Sequence, residues 1–250
     1  MRVAAIQFEP TRGPSLGSLL RLVPLVEQAA AGADLVVCPE MAATGYLFAS
    51  VDEARAVAET PTGPTFQALS PIAQQHQCWV VCGFAEDAGE SLYNSAMVIA
   101  PDGSLAFVYR KLLLYDPDYN WAQPGDSGVA IVEIGGLRVS VGICMDLNNP
   151  HFVQWLADAR IDICAFPTNW VHDDVMDVHT YWQERLAPTH TVLVAANRYG
   201  QEDDTCFSGR SAVLSRAGVL TTGPREGDSV LTIDLAPLFI ATVPGGPDAQ

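Results

Sequence analysis

The stretch Val139-Ser140-Val141-Gly142-Ile143-Cys144-Met145-Asp146 alternates apolar and small residues and ends in a thiol, and Leu147-Asn148-Asn149-Pro150 then reads as a turn. Such a run predicts a strand that carries a sulfur to the edge of a sheet. A cysteine kept for packing sits more often inside a strand. One at a strand end faces a cleft, where a neighbouring cation and base can make it a nucleophile. Two more polar residues follow strand-like runs of their own: Glu40 after Asp34-Leu35-Val36-Val37-Cys38-Pro39, and Lys111 after Ala106-Phe107-Val108-Tyr109-Arg110.

Outward from that stretch, short apolar runs recur at 3–8, 35–38, 79–84, 91–100, 105–109, 130–134, 161–166, 191–196, 211–214 and 230–233. Their length and β-branched content predict strands. Helical patterns fall between some of them, at 15–31, 65–76, 150–159 and 178–187. Ser15 is expected to cap the first helix, and Pro24 to kink or break it. Pro101-Asp102-Gly103-Ser104 and Gly135-Gly136 predict tight turns between strands. Helices separate the first strands and hairpins take over later, so the fold class is α/β, with layered sheets covered by helices. No repeat or linker interrupts the chain, which predicts one domain over 1–250. Its tail from Leu235 is rich in Pro and Gly; it is expected to break regular structure and to fray or lie on a partner subunit.

Composition narrows the function. The chain has 250 residues, 49% hydrophobic and only 17% charged, which suits a sizeable buried core. The net charge of −16 argues against nucleic acid or anionic membranes as partners. Met1-Arg2 leads straight into a strand-like run too short for a signal core, and no apolar run is long enough to span a bilayer. The six cysteines, Cys38, Cys78, Cys82, Cys144, Cys164 and Cys206, follow no disulfide framework spacing. A reduced, cytoplasmic setting is the expectation.

Glu40, Lys111 and Cys144 share a design: a polar group at the end of an apolar run. Strand ends are where side chains from distant parts of an α/β chain converge. A carboxylate can take the thiol proton, and an ammonium can stabilise the thiolate. The sulfur can then attack an acyl carbon. Lys111 and a backbone N–H after the nucleophile, that of Met145, would hold the oxyanion.

These positions also carry a family resemblance. Val3–Phe8, Cys38-Pro39-Glu40 with Thr44-Gly45-Tyr46, Tyr93-Asn94-Ser95, Tyr109-Arg110-Lys111, Trp121 with Pro124-Gly125, Gly142-Ile143-Cys144-Met145-Asp146, Ala196-Asn197-Arg198 and Phe207-Ser208-Gly209-Arg210-Ser211 appear in order along nearly the whole chain. Together they resemble the nitrilase (carbon–nitrogen hydrolase) superfamily, in its amidase-like branch. The resemblance implies a four-layer α-β-β-α sandwich and a Glu-Lys-Cys triad without metal or cofactor. Glu40 would be the general base, Lys111 the transition-state stabiliser and Cys144 the nucleophile. It also implies a homodimer or larger homo-oligomer. Many members add a second Glu between the Lys and the Cys. That loop has no Glu here; Asp118 is the nearest counterpart, and Asp116 a poorer one. Tyr46, Trp121, Asn169, Trp170 and His172 are the expected substrate-binding residues.

Cys144-Met145-Asp146 is closer to the amide and carbamoyl-amide hydrolases than to true nitrilases, which tend to show Cys-Trp-Glu. The expected activity is cleavage of a small linear amide or N-carbamoyl compound through a thioester. Gly142–Asn148 also resembles the branch that deamidates N-terminal Asn or Gln. A cation that grips a substrate carboxylate often follows the nucleophile, but Leu147-Asn148-Asn149 supplies none. Two other classes stay open: a non-catalytic binding module on the same scaffold, and a metal hydrolase built on His172, Asp173, Asp174, Asp177 and His179. The simpler reading of that last group is an acidic helix entrance. Cys38, Cys78, Cys82 and Cys164 read as core residues, and Cys206 as an exposed loop thiol.

Overall fold

The computed structural model describes residues 1–240. In chain order the first half runs β1 (Arg2–Gln7), α1 (Ser15–Ala30), β2 (Leu35–Val37), α2 (Val51–Arg55), α3 (Pro64–His76), β3 (Trp79–Asp87), β4 (Leu92–Ile99) and β5 (Leu105–Arg110). The second half runs β6 (Val132–Ile134), β7 (Leu137–Val141), α4 (Pro150–Asp158), β8 (Ile163–Thr168), α5 (Val178–Leu186), β9 (Val192–Asn197), β10 (Tyr199–Glu202), β11 (Thr205–Ser208), β12 (Ala212–Ser215), β13 (Gly218–Thr222), β14 (Ser229–Asp234) and α6 (Ala236–Ile240). Two 3₁₀ turns, Asp116–Asn120 and Cys144–Asn148, lie between.

Two six-stranded sheets result, in the orders β14-β1-β2-β3-β4-β5 and β13-β12-β9-β8-β7-β6. Each has a parallel trio, β1-β2-β3 or β7-β8-β9, flanked by antiparallel strands. The period-2 pattern of the strands sorts their side chains into layers. Ala4, Ile6, Val36, Val80 and Cys82 face α1 and α3. Val3, Ala5, Leu35, Val37 and Val81 face the other sheet, meeting Val139, Val141, Ile163, Ala165, Val192 and Val194. Cys164, Phe166, Leu193 and Leu214 turn outward onto α4 and α5, around the buried Trp182. The architecture is therefore the expected α-β-β-α sandwich, with the core in three apolar seams.

Several local expectations are corrected. Ser15 is the first helical residue and caps nothing; Pro14 precedes it. Ser18 instead ties the approach, accepting from the Thr11 N–H at 2.9 Å and donating to its carbonyl at 3.1 Å. Pro24 does not end α1, which runs on to Ala30. It lies on the exposed face, as does Leu20, whose carbonyl it leaves unpaired, so water can take that bond. The run toward Cys144 stops pairing at Val141, and the sulfur sits on the following 3₁₀ turn. From Leu235 the chain does not lose regular structure at once: Leu235 is buried, its N–H donates to the Met1 carbonyl at 2.9 Å, and α6 follows. Residues 241–250 of the expected tail lie outside the described residues. The hairpin β10–β11, β13 and α2 were not expected. Short polar strands such as Tyr199–Glu202 carry little apolar alternation to announce them.

Candidate active site

The site forms where one end of each sheet meets the other. Glu40 lies three residues past β2, Cys144 three past β7, and Asn169 directly past β8, all at the carboxyl ends of parallel strands. Lys111 directly follows β5, which β4 links to β3 by two antiparallel pairings, so it ends on the same side as β2 and β3. Loops at that edge are free to carry polar groups because the strands beneath are held on both faces.

Glu40, Lys111 and Asp118 are fully buried, and Cys144 is 6% exposed. The Lys111 ammonium donates to Glu40 Oε1 and to Asp118 Oδ2, each at 2.7 Å. Asn94, on β4, spans the two carboxylates from the side, donating to Glu40 Oε1 at 2.7 Å and to Asp118 Oδ1 at 3.3 Å. The backbone N–H of Asn169 donates to the other Glu40 oxygen at 2.8 Å. Asp118 makes up for its short side chain by riding on the 3₁₀ turn, where Oδ2 also accepts from the Tyr115 N–H at 3.0 Å. Asp116 takes no such place.

Burial raises the Glu40 carboxyl above its ordinary range; the Lys111 charge opposes this and the nearby Asp118 charge adds to it. Burial works against the Lys111 charge, but Asp118, Glu40 and Cys144 together carry its pKa above the ordinary value. The ammonium is thus held charged. Burial pushes the Cys144 thiol up, and the Glu40 charge adds to that. Lys111, the Thr168 hydroxyl and the Asn169 N–H pull the other way. At rest the sulfur therefore holds its proton, and the charges of Glu40 and Lys111 pull its titration in opposite directions.

Cys144 has φ +43°, in the left-handed region, which costs a non-glycine residue about 1 kcal/mol. The first i→i−3 bond of its turn runs from the Asp146 N–H to the Ile143 carbonyl, at 2.9 Å. The Met145 N–H comes before that bond, so the turn itself does not use it.

A cleft of about 670 Å³ opens over the sulfur, and Cys144, Met145, Asn169, Trp170, His172 and Tyr181 are among its walls. Of the expected substrate residues, Asn169, Trp170 and His172 thus line the cleft. Tyr46 lies deeper, its ring 5.6 Å from the Lys111 nitrogen. Trp121 is buried behind the site, edge-on to Phe48 at 5.6 Å, and does not line the cleft. Sequence reading assigned no role to Asn94 or Thr168. The available signal was polar residues ending or interrupting fully buried strands. Arg225 was missed altogether, yet it reaches the cleft wall from the loop before β14, as does Arg210 from the loop before β12. The cleft wall among the described residues thus includes two arginines, although the segment after Cys144 has none.

The acidic stretch at the mouth is engaged otherwise than as a metal cage. Asp177 caps α5 and pairs with Arg210, while His172 pairs with Asp174 at 3.0 Å. Among the described residues, no group of three or more His, Cys, Asp or Glu side chains is placed to hold a metal ion.

Comparison with protein families matches residues 2–243 to one described as Carbon-nitrogen hydrolase. The chain belongs to the carbon–nitrogen hydrolase family. A nitrilase of Pyrococcus abyssi is 31% identical over 238 residues, covering 92% of this chain and 87% of that protein. A protein N-terminal amidase of Schizosaccharomyces pombe is 29% identical over 262 residues, covering 86% and 91%. Among solved structures, an amidase from Nesterenkonia sp. AN1 superposes with a TM-score of 0.81 at 23% identity, covering 95% of this chain and 94% of its own. That likeness is one of fold. As a carbon–nitrogen hydrolase, the protein acts on C–N bonds other than peptide bonds. Among its described residues, no helix is long and apolar enough to cross a membrane.

Proposed function

We propose that this carbon–nitrogen hydrolase is a Cys144-dependent amidase that passes through a thioester and releases ammonia or an amine. The observation that carries the reading is the Lys111 ammonium, held at 2.7 Å by both Glu40 and Asp118, whose charge acts on Cys144, the one cysteine of the cleft wall among the described residues. Glu40 takes the thiol proton as the sulfur attacks the substrate carbonyl. Its raised pKa suits it both to accept that proton and to return it. Lys111 and the Met145 N–H hold the oxyanion, and a donor of that kind is worth about 3 kcal/mol. Glu40 then gives its proton to the leaving nitrogen. A water activated by the same carboxylate releases the acid and restores the thiol. Asp118 serves as the auxiliary carboxylate that keeps Lys111 charged and aimed. No metal or cofactor enters the scheme.

A small linear amide or N-carbamoyl compound is the substrate class this reading favours. Relatives include an (R)-stereoselective amidase of a Pseudomonas species and an N-carbamoylputrescine amidase of tomato, at 29% and 27% identity. A second reading, removal of the side-chain amide from N-terminal Asn or Gln, has its own support in the yeast N-terminal amidases, each 29% identical. An ammonia-release screen separates the two. It should include ω-amides of dicarboxylates, N-carbamoyl amines and amino acids, aliphatic amides, nitriles and Asn-initiated peptides. Cys144→Ala should be inactive on every hit, and Glu40→Gln should accumulate an acyl adduct visible by intact mass. Full activity in Cys144→Ala would refute the assignment.

A further inference from the structure

Asp146 is a fully buried carboxylate that the scheme above does not use, and it is absent from the cleft wall. Each of its oxygens is taken twice. Oδ1 accepts from the Leu112 N–H at 2.9 Å and the Leu113 N–H at 2.8 Å. Oδ2 accepts from the Ile143 N–H at 2.9 Å and the Tyr109 hydroxyl at 2.7 Å. Leu112 and Leu113 directly follow Lys111, Tyr109 stands two residues before it, and Ile143 directly precedes Cys144. The two segments come from different sheets and share no strand pairing.

We infer that Asp146 is a positioning residue that locks the turn carrying the nucleophile to the segment carrying Lys111, fixing the sulfur and the ammonium relative to each other. Four donors on one carboxylate need both oxygens as acceptors. The same clamp holds the Ile143–Cys144 backbone where Cys144 must keep its left-handed φ. An Asn at this place would accept on one side only and turn an N–H toward two other N–H or O–H donors. The inference rests on the proposed roles of Cys144 and Lys111.

Burial lifts the Asp146 carboxyl to about 6, against the pull of Tyr109, the Leu113 and Ile143 N–H groups and the Lys111 charge; Cys164, on β8, is the other titratable group it faces. Below that pH the protonated group loses acceptor capacity and the clamp loosens. Because its pKa is raised in the fold, this titration does not itself destabilise the fold: between about pH 4 and 6 the folded state is the one that holds the extra proton.

The test measures Cys144 alkylation by iodoacetamide from pH 5 to 8, together with kcat, KM and thermal melting, in native protein, Asp146→Asn and Tyr109→Phe. Asp146→Asn should melt cooperatively, alkylate and turn over about 100-fold more slowly, keep its KM, and lose the acid limb near pH 6. Tyr109→Phe, which removes one donor only, should move kcat in the same direction by about tenfold. A purely structural role would lower the melting temperature and leave the shape of the profile unchanged. Native rates and profile in a folded Asp146→Asn overturn the clamp. If that variant does not fold, native kcat in Tyr109→Phe overturns it. A native protein whose Cys144 resists alkylation and that hydrolyses no amide overturns the underlying assignment, and the clamp with it.

Discussion

In the resting structure Lys111 is an ammonium with no exposed surface, placed between two carboxylates that have none either. Burial of this kind is tolerable only while every charge keeps its partner. Lys111→Met should therefore do more than abolish turnover. It leaves Glu40 and Asp118 facing each other across Asn94, and removing one member of such a set costs about 3 kcal/mol or more. The sign of its pH dependence follows. Without the cation, the Glu40 carboxyl, already raised by burial, loses the charge that opposes that rise and moves further above the unfolded range near 4, so the folded state holds a proton that the unfolded one releases. The variant should lose stability as pH rises from 5 to 8, more steeply than the native protein, in urea melts read at each pH. Equal slopes for the two proteins would show that the carboxylates do not depend on Lys111. At this scale the sequence was informative where a residue type is itself the chemistry, as with Glu40, Lys111 and Cys144. It was silent where the role is a partner choice. Nothing in Met145-Asp146-Leu147 tells that the carboxylate reaches back to Leu112 and Leu113.

The loop after β2 reaches the site only because β3 lets it pass. The Gly83 N–H donates to the Pro39 carbonyl at 3.1 Å, and its own carbonyl accepts from the Ala42 N–H at 3.0 Å. A Cβ on Gly83 would lie 2.5 Å from Glu40 Cα and 2.7 Å from both Met41 N and Pro39 O, all backbone atoms that cannot rotate away. Gly83→Ala should thus leave the sandwich folded but push Glu40 off Lys111, cutting kcat about 100-fold. Native turnover in that variant would mean that the loop shifts without moving the carboxylate. The loop is also anchored farther along. Glu202, at the end of β10, accepts from the Tyr46 and Leu47 N–H groups and pairs with the buried Arg198 at 2.6 Å. Glu202→Ala strands that guanidinium, which also lies over the Phe207 ring, and should cost about 3 kcal/mol in urea unfolding. A loss under 1 kcal/mol would mean that Arg198 finds water or another acceptor. Elements with a strong apolar period, such as β3, β8 and α1, could be placed from sequence. The β10–β11 hairpin could not: its reason to form is this anchor, a tertiary contact between positions 46 and 202 that no local pattern records. The early break considered at Pro24 does not occur, and the carbonyl that the proline frees lies on the exposed face, where water can bond it.

At the scale of the whole molecule, the layered fold was legible because both sheets obey one rule: alternate residues face the seam between sheets or the covering helices. What alternation cannot specify is which end of each sheet gathers the loops, because that depends on strand direction and on the order of pairing. The surface carries a different signal. With 29 acidic residues against 13 basic ones, the chain carries a net charge of −16, and repulsion among its acidic groups is the dominant long-range term. Exposed ion pairs among the described residues, such as Arg12 with Glu53 and Asp203, Arg21 with Asp228, Arg55 with Asp87 and Arg210 with Asp177, are too few to offset this, and such pairs are worth at most about 1 kcal/mol each. Self-repulsion over the surface should therefore outweigh surface pairing in its response to salt. Raising NaCl from about 20 mM to about 300 mM shortens the Debye length from roughly 20 Å to under 10 Å. That screens the many repulsions, while the buried Lys111 and Arg198 pairs, closed to ions, keep their strength. The melting temperature at pH 8 should rise by a few degrees over that range, and the gain should shrink at pH 5, where part of the surface carboxylate charge has been neutralised. A melting temperature that falls with salt at pH 8 would show instead that surface ion pairs, not net charge, govern the stability of the folded chain.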